Sequence, residues 1–167
     1  LLTVHRFKII EKINNLKNLK KTLFIGAGTG LEIYMAKKNL NNFSAYDPSS
    51  SKFIYEITGK QKFKKKNFDF FENNFDTIFL IEFLEHLRKP YDFLEKIYRS
   101  MKNNSKIICT TAKNIPQFDH LYNFISAKNF ENKVKKIGFK IKFKEKIIHD
   151  LDMERINSDN IFYILQK

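Results

Sequence analysis

The residues with the clearest chemical potential are Gly26, Ala27, Gly28 and Gly30, in the run GAGTG, and Asp47, which closes the segment FSAYD. Glycines at this spacing let a backbone turn tightly and approach a ligand closely, because no side chain occupies the ligand's space. A dinucleotide fingerprint would place a small residue at position 31. Leu31 stands there instead, which counts against NAD. Asp47 follows Gly26 by 21 positions, a separation at which a carboxylate on the next parallel strand reaches the hydroxyls of a bound ribose. The run Asp47-Pro48-Ser49 also reads as a helix cap or turn, and both readings stay open.

The elements that must position these residues follow from periodicity. Val4, Phe7, Ile10, Ile13 and Leu16 recur at close to helical spacing and predict an amphipathic helix over 4–19. Thr22–Ile25 is a short apolar strand running into the glycine loop, and Leu31–Asn39 reads as the helix after it. A second strand, Phe43–Tyr46, leads to Asp47, and Ser49 to Ser51 suit the cap of a helix through about Thr58 that Gly59 closes. Lys62–Phe68 is a strand of poor quality because of its charge. Thr77–Ile81 is the uninterrupted apolar run of a central parallel strand. Pro90 suits the first turn of a helix whose apolar face is Phe93, Leu94, Ile97, Tyr98 and Met101, followed by a strand over Lys106–Thr111. A helix ending at Gly138 and two strands without an intervening helix, Phe139–Ile148 and Ile161–Leu165, complete the chain.

Alternating strands and helices require right-handed crossovers, and the final helix-free pair suits an antiparallel hairpin. The expected fold class is α/β: a doubly wound, mostly parallel seven-stranded sheet with an antiparallel C-terminal edge hairpin. No Pro/Gly-rich boundary divides the chain, so one domain is expected over 1–167, with the helix of 1–20 preceding a cofactor-binding and catalytic core of 21–167.

The segments TLFIGAGTG, AYDPS, FDTIFLIEFLEHLRKPYDFLEKIYRSMKNNSKIICTTAKN and the later IGFK, in that order, resemble successive motifs of class I, Rossmann-like, S-adenosylmethionine-dependent methyltransferases, especially those acting on small molecules. The resemblance covers roughly residues 20 to 165. It implies S-adenosylmethionine as cofactor, with Gly26, Ala27, Gly28 and Gly30 along its methionine portion and ribose, and Asp47 with Pro48 at the ribose hydroxyls. It places Asp69 at the adenine amino group with Phe68 or Phe70 beside the ring, and Ile81 and Glu82 close to the sulfonium. Glu85 and His86 would lie on the next turn, where a structural hydrogen-bonded pair is the competing reading. Relatives carry an acidic residue where this chain has Phe24, so a carboxylate that helps hold the cofactor's ammonium is missing, and Glu32 or a water is the substitute. The Gly-rich turn of relatives is replaced by Asn103-Asn104-Ser105, which tolerates the same conformations. No extra substrate-recognition insert is evident.

Methyl transfer from an activated sulfonium needs mainly alignment and, for an oxygen acceptor, proton removal. His120, in IPQFDHLYNF, is the first candidate base, His86 the second, and Tyr122 an orienting group, since an imidazole titrates near neutral pH. A structural histidine in an aromatic loop is the alternative, and Phe118, Tyr122 and Phe124 wall an acceptor pocket or pack on the core. Cys/His ligand spacing is absent, so no metal is expected. The single Cys109, within KIICTTA, reads as a buried strand thiol in a reducing cytoplasm.

The net charge of +13 over 167 residues would favour a nucleic-acid partner. Against that, arginine occurs only as Arg6, Arg88, Arg99 and Arg155, and the lysines are spread, with Lys64 to Lys66 the longest run. No stretch of about 18 apolar residues suggests a membrane span. Residue 1 is Leu rather than Met, which leaves room for residues before it. The leading expectation is O- or N-methylation of a small molecule such as a sugar or other metabolite. RNA or protein methylation, and a non-catalytic cofactor-binding or scaffold role, are the alternatives.

Overall fold

A computed structural model of the chain describes residues 4–17, 19–28, 30–36, 40, 42–47, 75–147 and 159–167. The described elements are α1 (Val4–Asn15), β1 (Lys21–Ile25), α2 (Leu31–Ala36), β2 (Asn42–Tyr46), β3 (Thr77–Leu80), α3 (Pro90–Ser100), β4 (Lys106–Lys113), α4 (Ala127–Ile137), β5 (Lys140–Ile147) and β6 (Asp159–Gln166). A 3-10 turn, Leu84–His86, lies between β3 and α3. The strands form one sheet in the order β2-β1-β3-β4-β6-β5. β2, β1, β3 and β4 pair in parallel, while β6 runs antiparallel to both β4 and β5. Six strands are therefore described against the seven expected, and the weak strand at 62–68 lies outside the described residues. The helix expected through Thr58 lies outside them as well.

Strand side chains alternate between two cores, as a period of two requires. Leu23, Ile25, Ile78, Leu80, Ile107, Cys109, Tyr163 and Leu165 share one cluster with Leu94 and Ile97 of α3 and Phe130 and Val134 of α4. Phe24, Phe43, Ala45, Phe79, Ile108 and Phe162 share the other with Ile9 and Ile13 of α1 and Ile33 of α2. Helices thus cover both faces, the three-layer arrangement that a parallel sheet needs. Each large side chain so buried contributes about 1.5–3 kcal/mol relative to exposure.

Local signals explain the element boundaries. Pro90 sits in the first turn of α3, where its missing N–H costs nothing. The Ser126 side chain accepts from the Asn129 amide at 3.4 Å to cap α4. Asn104 has φ +67°, the left-handed turn conformation expected of it. Two details of the first helix differ from the periodic reading. It ends at Asn15 rather than Leu19, after two asparagines of low helix propensity. Its buried stripe is Ile9, Ile10 and Ile13, of which Ile9 and Ile13 pack with Ile33 of α2 and with the sheet, while Phe7 is exposed. No helix among the described residues is long and apolar enough to cross a membrane.

Candidate functional site

The site lies at the carboxyl ends of β1, β2 and β3. β1 and β3 are neighbours there, and the connection from β1 passes through α2 on one face while that from β3 passes through α3 on the other. Divergent crossovers leave a crevice at such a point. The glycine loop leaves β1 with Gly26 and Gly28 at φ +69° and +51°. A Cβ on Gly26 would lie 2.3 Å from Cδ2 of Phe83, so this position accepts only glycine. A Cβ on Gly28 would meet nothing within 4 Å and would project into free space. That stretch of backbone is open to close approach.

Two hydrogen bonds tie the loop to β2. The amides of Gly26 and Ala27 donate to the Tyr46 carbonyl at 2.8 and 3.3 Å, and the Gly28 amide donates to Oδ2 of Asp47 at 2.8 Å. Asp47 is thus brought to the glycine loop, as the spacing predicted, and one of its oxygens also fixes the loop's shape. A cleft partly open to solvent is lined by Gly26, Ala27, Gly28, Glu32, Ile81 and Glu82, together with Phe24 and Phe79. Glu82 has φ +49°, and its amide donates to the Thr110 hydroxyl at 2.8 Å. Its Oε1 accepts from Nδ2 of Asn160 at 2.7 Å. A non-glycine residue held in this conformation costs about 1 kcal/mol or more, and it persists because β4 and β6 hold it. Pro48, Asp69 and Phe70 lie outside the described residues.

Phe24 replaces a carboxylate with an aromatic stack. Its ring lies parallel to that of Phe79 at 4.5 Å and meets Phe43 edge-on at 6.4 Å. Glu32 lines the same cleft, but its Oε1 accepts from the Arg6 guanidinium at 2.6 Å. An ammonium placed there would share that carboxylate with Arg6, a residue which the sequence reading did not connect with the site.

The second part of the site lies beyond β3. Glu85 and His86 sit on the 3-10 turn, and the loop after β4 folds back onto them. The Tyr122 amide donates to the Glu85 carbonyl at 2.9 Å, and the Asn114 amide closes the loop on the Phe124 carbonyl at 2.9 Å. His120 arrives 5.2 Å from His86, ring centre to ring centre and edge-on. Each imidazole directs Nδ1 to a backbone carbonyl: His86 to Asp119 at 2.9 Å, His120 to Ile115 at 2.6 Å. A carbonyl only accepts, so Nδ1 carries the proton in both rings and Nε2 holds the lone pair when the ring is neutral.

Glu85 is 1% exposed, and its Oε2 has no hydrogen-bond partner among the described residues. Burial pushes its carboxyl up to about 7, with the charges of Glu82 and Asp119 adding to the effect. Tyr122 and Phe124 belong to an aromatic group with Tyr91 and Phe130, while Phe118 is fully exposed. Burial raises the Cys109 thiol far above its ordinary range, which suits the inert strand residue expected.

Comparison with known proteins agrees with this geometry. Residues 5–142 match a family model described as a methyltransferase domain. A curated relative, the tRNA U34 carboxymethyltransferase of Sulfurimonas denitrificans, is 23% identical over 121 residues, covering 64% of this chain and 39% of its own length. The chain thus spans about two fifths of the length of that relative. The crystal structure of a SAM-dependent methyltransferase from Archaeoglobus fulgidus superposes with a TM-score of 0.67 at 16% identity, covering 97% of this chain and 92% of the other. The 1,6-didemethyltoxoflavin-N1-methyltransferase of Burkholderia thailandensis, solved with S-adenosylhomocysteine, superposes with a TM-score of 0.71 at 11% identity, covering 96% and 75%. The open glycine loop, the carboxylate of Asp47 and the apolar Ile81 fit S-adenosylmethionine, and the chain belongs to the class I, Rossmann-like, S-adenosylmethionine-dependent methyltransferases.

Proposed function

We propose that the chain transfers a methyl group from S-adenosylmethionine to an oxygen or nitrogen of a small-molecule acceptor. The observation that carries this reading is the stretch Ile81 to His86, which runs from the open backbone of the glycine loop on one side to the contacting pair His86 and His120 on the other. When bound, the cofactor supplies an electrophilic methyl on a cationic sulfur, so the protein need not activate the donor. Gly26, Ala27, Gly28 and Gly30 would hold it by close backbone approach, and Asp47, with Pro48, would take the ribose hydroxyls. Asp69 and Phe70 are assigned to the adenine, and Ile81 and Glu82 to the sulfonium end. Glu82 offers a carboxylate to that positive charge. His120, with His86 beside it, receives the acceptor's proton at Nε2, and Tyr122 orients the acceptor. Holding these groups in place contributes through proximity and general base catalysis, the latter typically worth 10²–10⁴-fold.

A second reading, methylation of RNA, draws on the curated tRNA-modifying relative and on the net charge of +13. Affinity for RNA that falls steeply with salt would favour it.

The test is calorimetric titration with S-adenosylmethionine and its demethylated product, comparing wild type with Asp47→Ala and Asp47→Asn. Removing a charge-assisted hydrogen bond costs about 1.5–3 kcal/mol, so affinity should fall about tenfold to a hundredfold in both variants. Acceptor screening with labelled cofactor follows. Wild-type affinity in both variants would remove Asp47 from the site, and absence of cofactor binding by the folded chain would overturn the reading.

A further inference from the structure

We propose that Glu85, His86 and His120 form a binding site for one divalent transition-metal ion, with a carboxylate oxygen and two imidazole nitrogens as ligands. One ligand atom from each of the three side chains lies within 4.8 Å of the others. Ligand atoms bound at about 2.0–2.2 Å to one tetrahedral ion stand about 3.3–3.6 Å apart, so side-chain adjustments of about an ångström close the site.

Three independent features support a site over a chance grouping. First, Glu85 is 1% exposed and its Oε2 has no hydrogen-bond partner among the described residues. A buried carboxylate left in that state costs several kcal/mol, and a cation beside it removes the cost. Second, both histidines donate Nδ1–H to backbone carbonyls, of Asp119 and Ile115. Metal-ligating histidines are ordinarily held in this way, with ring orientation and tautomer fixed by the nitrogen that does not bind. Third, the burial is graded. Glu85 lies at the bottom and the two imidazoles are partly exposed, so an ion has a route from solvent and keeps open positions on that side. Two imidazoles and one carboxylate suit zinc, cobalt, iron or nickel better than magnesium or calcium, which prefer all-oxygen sites.

The role of the ion rests on the methyl-transfer reading. An acceptor oxygen entering an open position would lose its proton to solvent more readily as a metal ligand. In the metal-bound chain the Nε2 lone pairs hold the ion, so this route replaces the proton transfer to His120 proposed for the metal-free chain.

The test is direct binding of Co²⁺ to the purified, chelator-treated chain, read by its visible absorption and by the shift in Tm, with Zn²⁺ as competitor. The expected result is one Co²⁺ per chain displaced by Zn²⁺, a rise in Tm, and affinity at least tenfold lower in Glu85→Gln, His86→Ala and His120→Ala. His5→Gln and His149→Gln should retain wild-type affinity. Wild-type chain that takes up no Co²⁺ and shows no change in Tm overturns the proposal, as does uptake unchanged in His86→Ala and His120→Ala. If a variant fails to fold, the wild-type stoichiometry and Tm shift decide the question. S-adenosylmethionine binding, measured on the same samples, bears only on the methyltransferase reading, so either conclusion can fail without the other.

Discussion

Two buried carboxylates stand at the same end of the sheet and are treated in opposite ways. Asp159, at the start of β6, is 5% exposed and has both oxygens paired, with Nζ of Lys113 at 3.1 Å and Nζ of Lys146 at 2.9 Å. Burial works against its charge, but the hydrogen bonds from Lys146 and Lys113 together outweigh that and hold its carboxyl below the ordinary 3.8. Glu85 is buried more deeply, keeps one oxygen unpaired, and is pushed up to about 7. The first is a clasp joining β4, β5 and β6. The second is a carboxyl that the fold buries with one oxygen unpartnered among the described residues, so that burial disfavours its charged form.

The largest expected effect breaks the clasp. Asp159→Ala leaves two lysines facing each other where three strands meet. Loss of one partner from a fully buried pair costs about 3–5 kcal/mol, and the partial exposure of Lys146 lowers this to about 2 kcal/mol. Urea unfolding should show a lower midpoint with an unchanged slope. A wild-type midpoint would mean that the two carboxylates do not differ as described.

The next effect has the opposite sign. In chelator at pH 8, Glu85→Gln should stabilise the chain by about 1–2 kcal/mol, because the neutral side chain removes a buried charge, while the new amide retains part of the desolvation cost. The pH profiles sharpen the contrast. Between its unfolded value of 4.5 and about 7, Glu85 binds more proton in the native state than in the unfolded one. Its contribution to stability is therefore fully present below 4.5 and lost as pH rises through about 7. Asp159 behaves in reverse: its contribution is present above 3.8 and lost as pH falls through its lower folded value. Stability measured against pH should thus lose its neutral-range slope in Glu85→Gln and its acid-range slope in Asp159→Asn.

The same contrast explains what could be read from the sequence. Apolar runs such as TIFLI and KIICTTA are short-range signals, and they placed β3 and β4 within two residues of where they lie. The glycine loop and Asp47 were legible for a similar reason: parallel β1 and β2 pair Ile25 with Tyr46, which fixes both strand ends at one level. The meeting of Glu85, His86 and His120 was not legible. Ligand spacing within one helix or turn is what a sequence displays, and here His120 lies across the whole of α3 and β4 from His86. Only the fold-back of the loop, through the Tyr122 amide and the Lys113 to Phe124 bridge, brings them together. The absence of local Cys/His spacing therefore carried little information about a metal. Phe24 was recognised as a departure from the family, but its stacking on Phe79 depends on register between β1 and β3, which pairs the two residues directly.

The smallest expected effect concerns Phe118, in the loop that carries His120. Its side chain is fully exposed, whereas Phe124, six residues later, is 3% exposed in the core. Phe118→Ser removes no buried area, so stability should change by less than about 0.5 kcal/mol, while Phe124→Ala should cost about 3–5 kcal/mol through the cavity that it leaves. If Phe118→Ser lowers Tm as much as Phe124→Ala, the loop is packed differently in solution and the route to the histidines is not open. If it leaves Tm unchanged, its effect on the KM of an identified acceptor isolates a binding role for an exposed aromatic in the loop that carries His120, free of any change in the scaffold that holds the histidines.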